Sequence, residues 1–355
     1  MTVTVQQCVI LAGGLGTRLG PLAAKTPKPI LPCGDRPFLA WLMREMVRFG
    51  VIDFVLLTGH LSEAIEAFAA TIRQTLPGVR ISLSRDPMQA GTGGALYHAR
   101  DRLSEKFLLC NGDTLFDCNI ADLLAGALND DAMPPSGRTV VGRLALRQIP
   151  DASRYGVVAF DPPYIAAFKP RPEPGSAGLI NAGLYVFRRD VIDYLSSVCS
   201  LESEALPIMA QDRALTGSVV TGYFRDIGIP GDYLSASSEL PSLLRRSSLF
   251  LIAPAVDDLA TIARASRAGW HVFGLHDRGS SLAERARAAG GTLDAERHGR
   301  VGAPMLDEIV SSWEVDPGRA VMFGDGATEL GFATASGIRI YPDRQPTYPF
   351  ETASQ

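Results

Sequence analysis

The sequence predicts an α/β protein with two domains, a larger one over residues 1–240 and a smaller one over residues 246–355. Short apolar runs alternate with amphipathic helical patterns from the start of the chain, which is typical of a largely parallel sheet covered by helices. From about residue 138 the apolar runs are separated by turns instead, which favours an antiparallel extension and so a mixed sheet. Beyond the stretch ASSELPSLLRRSS, near residue 245, the alternation of strands and helices resumes.

The elements of the first domain follow from these patterns. Strands are expected at CVILAGG, DFVLLTG, ISLSRD and KFLLCNGD. Helices are expected at FLAWLMREMVRFG, SEAIEAFAATIRQTL and GGALYHARDRL, the second of them with a serine cap. The predicted antiparallel strands are TVVGRLALR, GVVAFD, YIAAFKP and NAGLYVF.

The second domain shows the same alternation on a smaller scale. Its strands are expected at SSLFLIAPAV, WHVFGLH and AVMFGDG. Its helices are expected at DDLATIARASRAG, SLAERARAAGG, APMLDEIVSSWEV and TELGFATASG.

Composition and charge exclude several classes of protein. Apolar residues make up 46% of the chain, charged residues 20%, and the net charge is −4, so no basic surface for nucleic acid or an anionic membrane is expected. The sequence shows no signal peptide and no apolar run of roughly 18 residues, which predicts a cytoplasmic protein. Five cysteines without metal-ligand spacing predict reduced, buried thiols.

The stretch VILAGGLGTRLGPLAAKTPKPILP, residues 9–32, carries the strongest chemical signal. Its glycines let a loop turn tightly, so that backbone N–H groups can approach an anion. No Gly-Lys-Ser/Thr closes the loop, so it is not a Walker A sequence, and Arg18 occupies the third glycine position of a dinucleotide-binding loop. Arg18 offers a charged fork to phosphate oxygens, and Lys28 lies in a proline-stiffened segment from which it can reach the same phosphates.

The run LAGGLGTRL followed by KPILP resembles the signature of the sugar-1-phosphate nucleotidylyltransferases, which join a nucleoside triphosphate to a sugar phosphate and release pyrophosphate. The likeness continues over about residues 8–240 through GTGGAL, LLCNGDTLF, SRYGVV, FKP, INAGLYVF, SLE and FRDIGIPGDY. It implies a Rossmann-like mixed sheet of the nucleotide-diphospho-sugar transferase, GT-A-like, type. It also implies an in-line attack on the α-phosphorus, for which positioning and electrostatic stabilisation suffice.

The resemblance assigns roles to individual residues. The catalytic positions are Arg18 and Lys28 at the leaving pyrophosphate and Lys169 at the sugar phosphate. The nucleotide-binding positions are Leu11, Ala12, Gly13, Gly14, Gly16, Thr17, Asp86, Gly91 and Thr92. The sugar-binding positions are Asn111, Tyr155, Gly156, Asn181, Gly183 and Glu202. Asp113 and Asp226 are the implied ligands of Mg²⁺, which favours such oxygen donors. Asp117 and Asp232 are expected to be solvated turn or cap residues.

Within this family, the motifs look most like those of the D-glycero-α-D-manno-heptose 1-phosphate guanylyltransferases, which make GDP-heptose for surface glycans. Asp86 falls at the base-reading position, and a carboxylate can accept hydrogen bonds from both the ring N–H and the exocyclic amine of guanine. However, Asp86 is shorter than the expected glutamate, and PMQAG and AAFKP depart from the family pattern. Mannose 1-phosphate with GTP, and glucose 1-phosphate with CTP, UTP or dTTP, therefore stay open as alternatives.

The second domain resembles the haloacid-dehalogenase-type (HAD-like) phosphatases, through AVMFGDGATELGFATASGI. The implied metal positions are Asp325 and Glu329, and Arg300 replaces the phosphate-gripping lysine. The nucleophile, acid–base and phosphate-binding positions are Ile252, Pro254 and Leu275. Without a carboxylate nucleophile the phosphoenzyme route has no first step, so a degenerate domain without phosphatase activity is expected. A relic of a heptose bisphosphate phosphatase would favour heptose as the sugar, because that enzyme acts immediately before the guanylyltransferase.

The expected partners are a nucleoside triphosphate and a sugar 1-phosphate, with no nucleic acid and no membrane, and a homo-oligomer is left open. Two competing hypotheses remain. A bifunctional phosphatase–transferase would need a nucleophile in the second domain. A catalytically silent regulatory subunit would not need the charged residues that the first domain retains.

Overall fold

The computed structural model describes residues 5–49, 51–76, 78–86, 89–118, 120–131, 139–220, 222–243, 248–253, 259–267, 270–276, 282, 285–286, 293–299, 301–313, 315, 320–323 and 338–341. The chain divides into two compact units, Met1–Ser238 and Glu239–Gln355.

Strands and helices alternate through the first unit. Its strands are β1 (Gln7–Leu11), β2 (Pro32–Cys33), β3 (Arg36–Pro37), β4 (Asp53–Thr58), β5 (Arg80–Arg85), β6 (Lys106–Asn111), β7 (Thr114–Asp117), β8 (Gly142–Ile149), β9 (Val157–Asp161), β10 (Tyr164–Lys169), β11 (Gly178–Arg188), β12 (Leu215–Val219) and β13 (Tyr223–Asp226). The helices up to residue 243 are α1 (Phe38–Arg48), α2 (Ser62–Thr75), α3 (Gly91–His98), α4 (Ile120–Asp131), α5 (Leu206–Gln211) and α6 (Pro230–Leu243).

Nine of these strands form one mixed sheet, in the order β5-β4-β1-β6-β11-β8-β12-β10-β9. β5, β4, β1 and β6 are parallel, and β11 is antiparallel to both β6 and β8. The antiparallel extension is confirmed for the pairs β8–β11 and β9–β10, whereas β12 joins the sheet parallel to β8. The mixed α/β architecture predicted from the sequence is therefore present.

The inner parallel strands β1, β4 and β6 are buried on both faces, which explains why they are nearly continuous apolar runs, whereas the edge strand β5 is only partly buried. Successive side chains of β1 enter opposite layers of the core, as the two-residue period of a strand requires. Cys8 and Ile10 lie in a cluster with α1 and α2, whereas Val9 lies in a second cluster that includes Leu96 of α3.

The start of α2 differs from the prediction. Leu61 precedes the helix in a left-handed conformation, at φ 56°, and no side chain caps the helix N-terminus. Ser62 is instead the first helical residue; it is buried, and its hydroxyl accepts a hydrogen bond from Thr58 Oγ1 at 3.5 Å. The serine therefore ties the helix to β4, and the expected serine cap is wrong.

A two-stranded ribbon, β7 with β13, lies outside the large sheet. β7 follows the end of β6 closely in the chain, and its residue Thr114 lies opposite Asp226 of β13 in the antiparallel register. The backbone N–H of Ile227 also donates to the carbonyl of Asp113 at 2.9 Å. The ribbon thus brings the two predicted metal-binding aspartates together.

The second unit contains a five-stranded parallel sheet. Its strands are β14 (Ser248–Ala253), β15 (His271–His276), β16 (Ala295–His298), β17 (Ala320–Phe323) and β18 (Arg339–Tyr341), in the order β16-β15-β14-β17-β18. Its helices are α7 (Leu259–Arg267) and α8 (Ala303–Ser312). Aromatic rings fill part of its core, with Phe273 4.9 Å from Phe250 and 5.1 Å from Trp313 between ring centroids.

Several predicted features of the second unit lie outside the described residues. These are Pro254, Arg300, Asp325, Glu329, most of the helix SLAERARAAGG and all of TELGFATASG. Ile252 lies in β14, and Leu275 is buried in β15.

All five cysteines are buried and free, as expected from the sequence. Within the described part of the chain, no helix combines the length and the apolar character needed to cross a membrane.

Candidate active site

A cavity of about 810 Å³ opens at the carboxyl ends of β1, β4, β5 and β6. Ligands of open α/β sheets bind in this position, because loops from neighbouring parallel strands meet at the same edge. Most residues predicted for the site line the cavity: Leu11, Gly13, Gly14, Gly16, Thr17, Arg18, Lys28, Asp86, Gly91, Thr92, Asn111, Asp113 and Glu202. The others lie outside its lining: Ala12, Tyr155, Gly156, Lys169, Asn181, Gly183 and Asp226.

The first glycine-rich loop leaves β1 and forms one wall of the cavity. Ala12 continues the sheet, since its N–H donates to Leu57 O at 2.8 Å and its side chain is buried. A Cβ on Gly13 would lie 2.9 Å from the backbone nitrogen of Gly59, whereas one on Gly14 would meet no atom within 4 Å. The loop is therefore anchored to β4 and open at Gly14.

The segment after the first loop presents a positive charge to the cavity. Gly16 has a left-handed conformation, at φ 64°, and precedes the 3₁₀ segment Thr17–Ala23. Arg18 lies on this segment, exposed at the cavity wall. Its guanidinium approaches Gly228, so one positively charged fork faces the end of the β7–β13 ribbon.

The ribbon creates a pair of neighbouring carboxylates. Burial raises the pKa of Asp226, the adjacent carboxylate of Asp113 raises it further, and Lys28 and Arg18 act in the opposite direction. Lys28 is nearly buried and forms an ion pair with Asp113. Asp226 Oδ1 is buried and has no hydrogen-bond partner within the described ranges. A negative pair with an orphaned oxygen suits a divalent cation.

Among the described residues, no group of three or more His, Cys, Asp or Glu side chains is arranged to hold a metal ion. Two carboxylates are nevertheless enough for a magnesium ion that completes its coordination with substrate phosphates and water.

On the sugar side of the predicted site, a bulge in β11 packs against the end of β6. Gly183 has φ 71°, and a Cβ there would lie 2.8 Å from Asn111 Nδ2. The Asn181 amide donates to the Tyr185 hydroxyl at 2.8 Å and accepts from the Gly183 N–H at 3.1 Å. Asn181 and Gly183 therefore shape the bulge, and Asn111 is the residue of this group that reaches the cavity.

Lys169 does not lie in the cavity lining. It is exposed at the end of β10, opposite Val157 in the register with β9. Gly156 lies beside it, since a Cβ there would be 3.1 Å from Lys169 O. The cavity lining as described thus contains Arg18 and Lys28 but not Lys169, and the role of Lys169 at the sugar phosphate stays a prediction.

Tyr155 belongs to a group of charged and aromatic residues beside Asp226. Its ring lies 6.2 Å from that of Phe224, and burial, followed by the nearby charge of Asp226, raises its pKa. Asp232, expected to be solvated, instead pairs with Arg154 at 2.7 Å and with Arg225 at 3.7 Å. The prediction for Asp232 is corrected: two arginines of the same region each pair with a different oxygen of its carboxylate.

The second glycine-rich segment, at the start of α3, connects a predicted nucleotide-binding residue with a predicted sugar-binding residue. The Thr92 hydroxyl donates to Glu202 Oε2 at 2.6 Å, and both residues line the cavity. Nearby, Asp86 Oδ2 accepts a hydrogen bond from the N–H of Ala90 at 2.9 Å. This bond fixes the Asp86 carboxylate at the cavity wall.

The cavity also contains polar residues that were not predicted. His60 follows β4, Arg85 ends β5, and Gln89 precedes α3. Arg85 is held by an ion pair with Glu63 at 2.8 Å. Their position after neighbouring parallel strands was a usable signal, because the carboxyl ends of such strands share one edge.

Residues 7–242 match the family described as Nucleotidyl transferase. The chain belongs to the nucleotidyl transferase family. A curated relative is the mannose-1-phosphate guanylyltransferase catalytic subunit beta of Danio rerio, 31% identical over 272 residues, which are 73% of this chain and 73% of the relative. Eight such relatives bear names of this enzyme class, and the matches span 63% to 73% of their lengths. The expectation of a nucleotidyl-transferring enzyme is thus confirmed.

Solved structures support the fold of this nucleotidyl transferase. HddC from Yersinia pseudotuberculosis is 28% identical with a TM-score of 0.55, over 66% of this chain and 99% of that one. A UDP-glucose pyrophosphorylase complexed with UDP-glucose has a TM-score of 0.57 at 19% identity, and the match covers 67% of this chain and 99% of that one. The first unit therefore has the mixed-sheet nucleotidyltransferase fold expected from the sequence.

Proposed function

We propose that this nucleotidyl transferase transfers a guanylyl group from GTP to a sugar 1-phosphate and releases pyrophosphate. The preferred acceptor in this proposal is D-glycero-α-D-manno-heptose 1-phosphate. The observation that carries the proposal is the placement of the Asp113–Asp226 pair beside a cavity whose wall is an open glycine loop with Arg18 and Lys28.

Guanine is favoured as the base for two reasons. The relatives named above are guanylyltransferases, and HddC was also solved complexed with GMP-PN, at 28% identity and a TM-score of 0.54. In this chain, the backbone of Ala90 holds the Asp86 carboxylate at the cavity wall. A carboxylate accepts several hydrogen bonds, so Asp86 can accept the ring N–H and the exocyclic amine of guanine.

The chain's own residues supply the charge stabilisation that the reaction needs. Arg18 and Lys28 would neutralise the developing charge of the leaving pyrophosphate, and the open backbone at Gly14 lets N–H groups approach phosphate oxygens. Asp113 and Asp226 would hold Mg²⁺, which polarises phosphate oxygens and offsets their charge. Lys28 is already oriented by its ion pair with Asp113, so its ammonium is fixed before substrate enters.

Mannose 1-phosphate is the second candidate acceptor, because the relatives named above are mannose-1-phosphate enzymes. Heptose is preferred on the heptose-like motifs of residues 1–240 and on the proposed HAD-like ancestry of residues 246–355. The parallel sheet of the second unit is compatible with that ancestry, and the apolar Ile252 at the nucleophile position supports the absence of phosphatase activity. Release of phosphate from heptose 1,7-bisphosphate would contradict that part of the proposal.

The test is pyrophosphate release by the full chain with Mg²⁺. Each of the five common nucleoside triphosphates is combined with heptose, mannose or glucose 1-phosphate. Turnover confined to GTP with the heptose phosphate is the expected result. Turnover with GTP and mannose 1-phosphate alone would overturn the choice of sugar, and turnover with another nucleotide would overturn the choice of base. No turnover with any pair would point to a regulatory subunit.

A matched pair of variants tests the role of the ribbon. Asp226→Asn keeps the shape of the side chain but removes the charge, so kcat should fall by about two to three orders of magnitude. Asp232→Asn makes the same change on a neighbouring carboxylate that pairs with arginines, and its kcat should stay within a few-fold of the parent's. Equal effects of the two substitutions would contradict a specific role for Asp226.

A further inference from the structure

Both hydrogen bonds of the Thr92 hydroxyl go to the segment that carries Glu202, a residue predicted to bind the sugar. The hydroxyl donates to Glu202 Oε2 at 2.6 Å and accepts from the backbone N–H of Leu201 at 2.9 Å. A threonine hydroxyl has a single proton to donate, so this proton is not available to a nucleotide phosphate while Glu202 holds it. A hydrogen bond to a carboxylate at this short distance is charge-assisted and strong.

The backbone around Glu202 is fixed independently of its side chain. Residues Leu201–Ala205 form a wide π-helical turn, a geometry that is frequent at functional sites. Ser200 caps this turn by accepting from the N–H of Ser203 at 3.1 Å, and its own N–H donates to Glu204 Oε1 at 3.0 Å. The turn therefore holds the Cα of Glu202 in place, and the direction of its carboxylate depends on further contacts.

The same turn is joined to the start of α3. The N–H groups of Gly93 and Gly94 both donate to Cys199 O at 3.0 Å, and the N–H of Cys199 donates to Ala90 O at 2.9 Å. The Thr92 hydroxyl extends this backbone connection to the Glu202 carboxylate. Because one carboxylate oxygen is held by Thr92, the direction of the other oxygen is set as well.

We propose that Thr92 is a positioning residue for Glu202. It orients the carboxylate to accept a hydroxyl of the sugar 1-phosphate. The inference rests on the proposed function and on the sugar-binding role that the sequence predicts for Glu202. Thr92 is predicted from the sequence to bind the nucleotide, and the inference gives its side chain a role at the sugar instead. Gly91 keeps its place in the cavity wall on the nucleotide side, and the Thr92 hydroxyl orients the Glu202 carboxylate toward the sugar phosphate. Pre-orientation of this kind improves binding because the carboxylate no longer has to be ordered when the sugar arrives.

The test uses steady-state kinetics of the full chain, with GTP and the sugar 1-phosphate that proves active. Thr92→Val keeps the shape and removes the hydroxyl, so KM for the sugar phosphate should rise about tenfold, the effect of one charge-assisted hydrogen bond. KM for GTP should stay within about twofold, and Thr92→Ser should restore the parent KM because it keeps the hydroxyl. A rise in KM for GTP with no change for the sugar would overturn the inference.

Two controls separate positioning from general damage. Thr71→Val removes a hydroxyl that bonds to Ala67 O within α2, away from the cavity, and should leave both KM values unchanged. If the valine variant does not fold, Thr92→Ala replaces it, and serine rescue remains the criterion. Equal KM values for the valine and serine variants would show that the hydroxyl is not needed.

The variant Glu202→Gln separates two ways to fail: loss of the positioning role of Thr92, and loss of the sugar contact predicted for Glu202. If Thr92 acts through Glu202, adding Thr92→Val to Glu202→Gln should raise the sugar KM no further, a strongly non-additive double-mutant cycle. If Glu202→Gln raises the sugar KM and Thr92→Val does not, the positioning role alone fails. If Glu202→Gln leaves the sugar KM unchanged, the proposed sugar contact fails, and the inference fails with it.

Discussion

The two glycine-rich loops of the cavity, residues 13–16 and 91–94, have similar compositions and different packing. In the first, the middle glycine is open, since a Cβ on Gly14 would meet nothing within 4 Å. In the second, each glycine is in close contact: a Cβ would lie 2.4 Å from Cys199 O at Gly91, 2.6 Å from Cys199 Sγ at Gly93 and 2.8 Å from Ser197 O at Gly94. The first loop leaves its backbone accessible at Gly14, although Gly13 and Gly16 are closely packed, whereas every glycine of the second lets another segment of the chain approach.

This difference shows that a glycine motif has two physical meanings. Lack of a side chain either exposes backbone N–H groups to a ligand or allows two backbones to approach closely. Substitution by alanine separates the meanings, because it affects binding in the first case and stability in the second.

The largest effect on stability is expected for Gly91→Ala. Gly91 combines φ 76° with the closest contact of the loop, so left-handed strain and overlap with Cys199 O add up to about 3 kcal/mol of lost unfolding free energy. The measurement is the melting temperature of the purified chain. The control is Gly175→Ala, at φ 79° with open space around it, where strain alone should cost about 1 kcal/mol. Equal shifts for both variants would show that the overlap is relieved by movement.

A smaller loss is expected for Gly94→Ala. Alanine favours a helix over glycine by up to about 1 kcal/mol, but the new methyl group would meet Ser197 O, so the net change is a loss of about 1–2 kcal/mol. Thermal unfolding of this variant beside Gly91→Ala gives the comparison. A raised melting temperature would mean that Ser197 and Cys199 are not held against α3.

The smallest effect on stability is expected for Gly14→Ala, within about 0.5 kcal/mol, because its Cβ enters open space. Activity should respond instead: a methyl group at the open cavity wall would keep phosphates away from the backbone, so KM for the nucleotide should rise about tenfold. Pyrophosphate release over a range of nucleotide concentrations measures this. A variant with unchanged KM and a lowered melting temperature would reverse the comparison between the loops.

The parallel half of the fold was predictable because its signals are local. Fully buried strands are continuous apolar runs, and the amphipathic period of α1 is visible in its own sequence. The strand-end positions of Gly13, Asn111 and Asp113 follow from the same patterns. The site residues at these ends therefore came together as expected.

The remaining features depend on contacts between distant segments. The strands β7 and β13 have four residues each, too short for a periodic signal, and their pairing is visible only in three dimensions. Thr92 and Glu202 lie in separately recognised motifs, and neither motif indicates that their side chains meet. The sequence context of Asp232 predicts a solvated residue, because that context does not reveal the two arginines around it.

The chain order of β7 and β13 also sets when the two predicted metal-binding carboxylates can meet in a newly made chain. Residues through Asp113 include the four parallel strands β1, β4, β5 and β6, the glycine loop and Lys28, and they leave the ribosome first. Asp226 arrives only with β13, after the antiparallel strands have been synthesised. Because a domain generally folds as a unit, the two carboxylates can meet only after β13 has been made. A chain that ends before β13 lacks Asp226, the second predicted ligand of Mg²⁺, so we expect no nucleotidyl transfer from it.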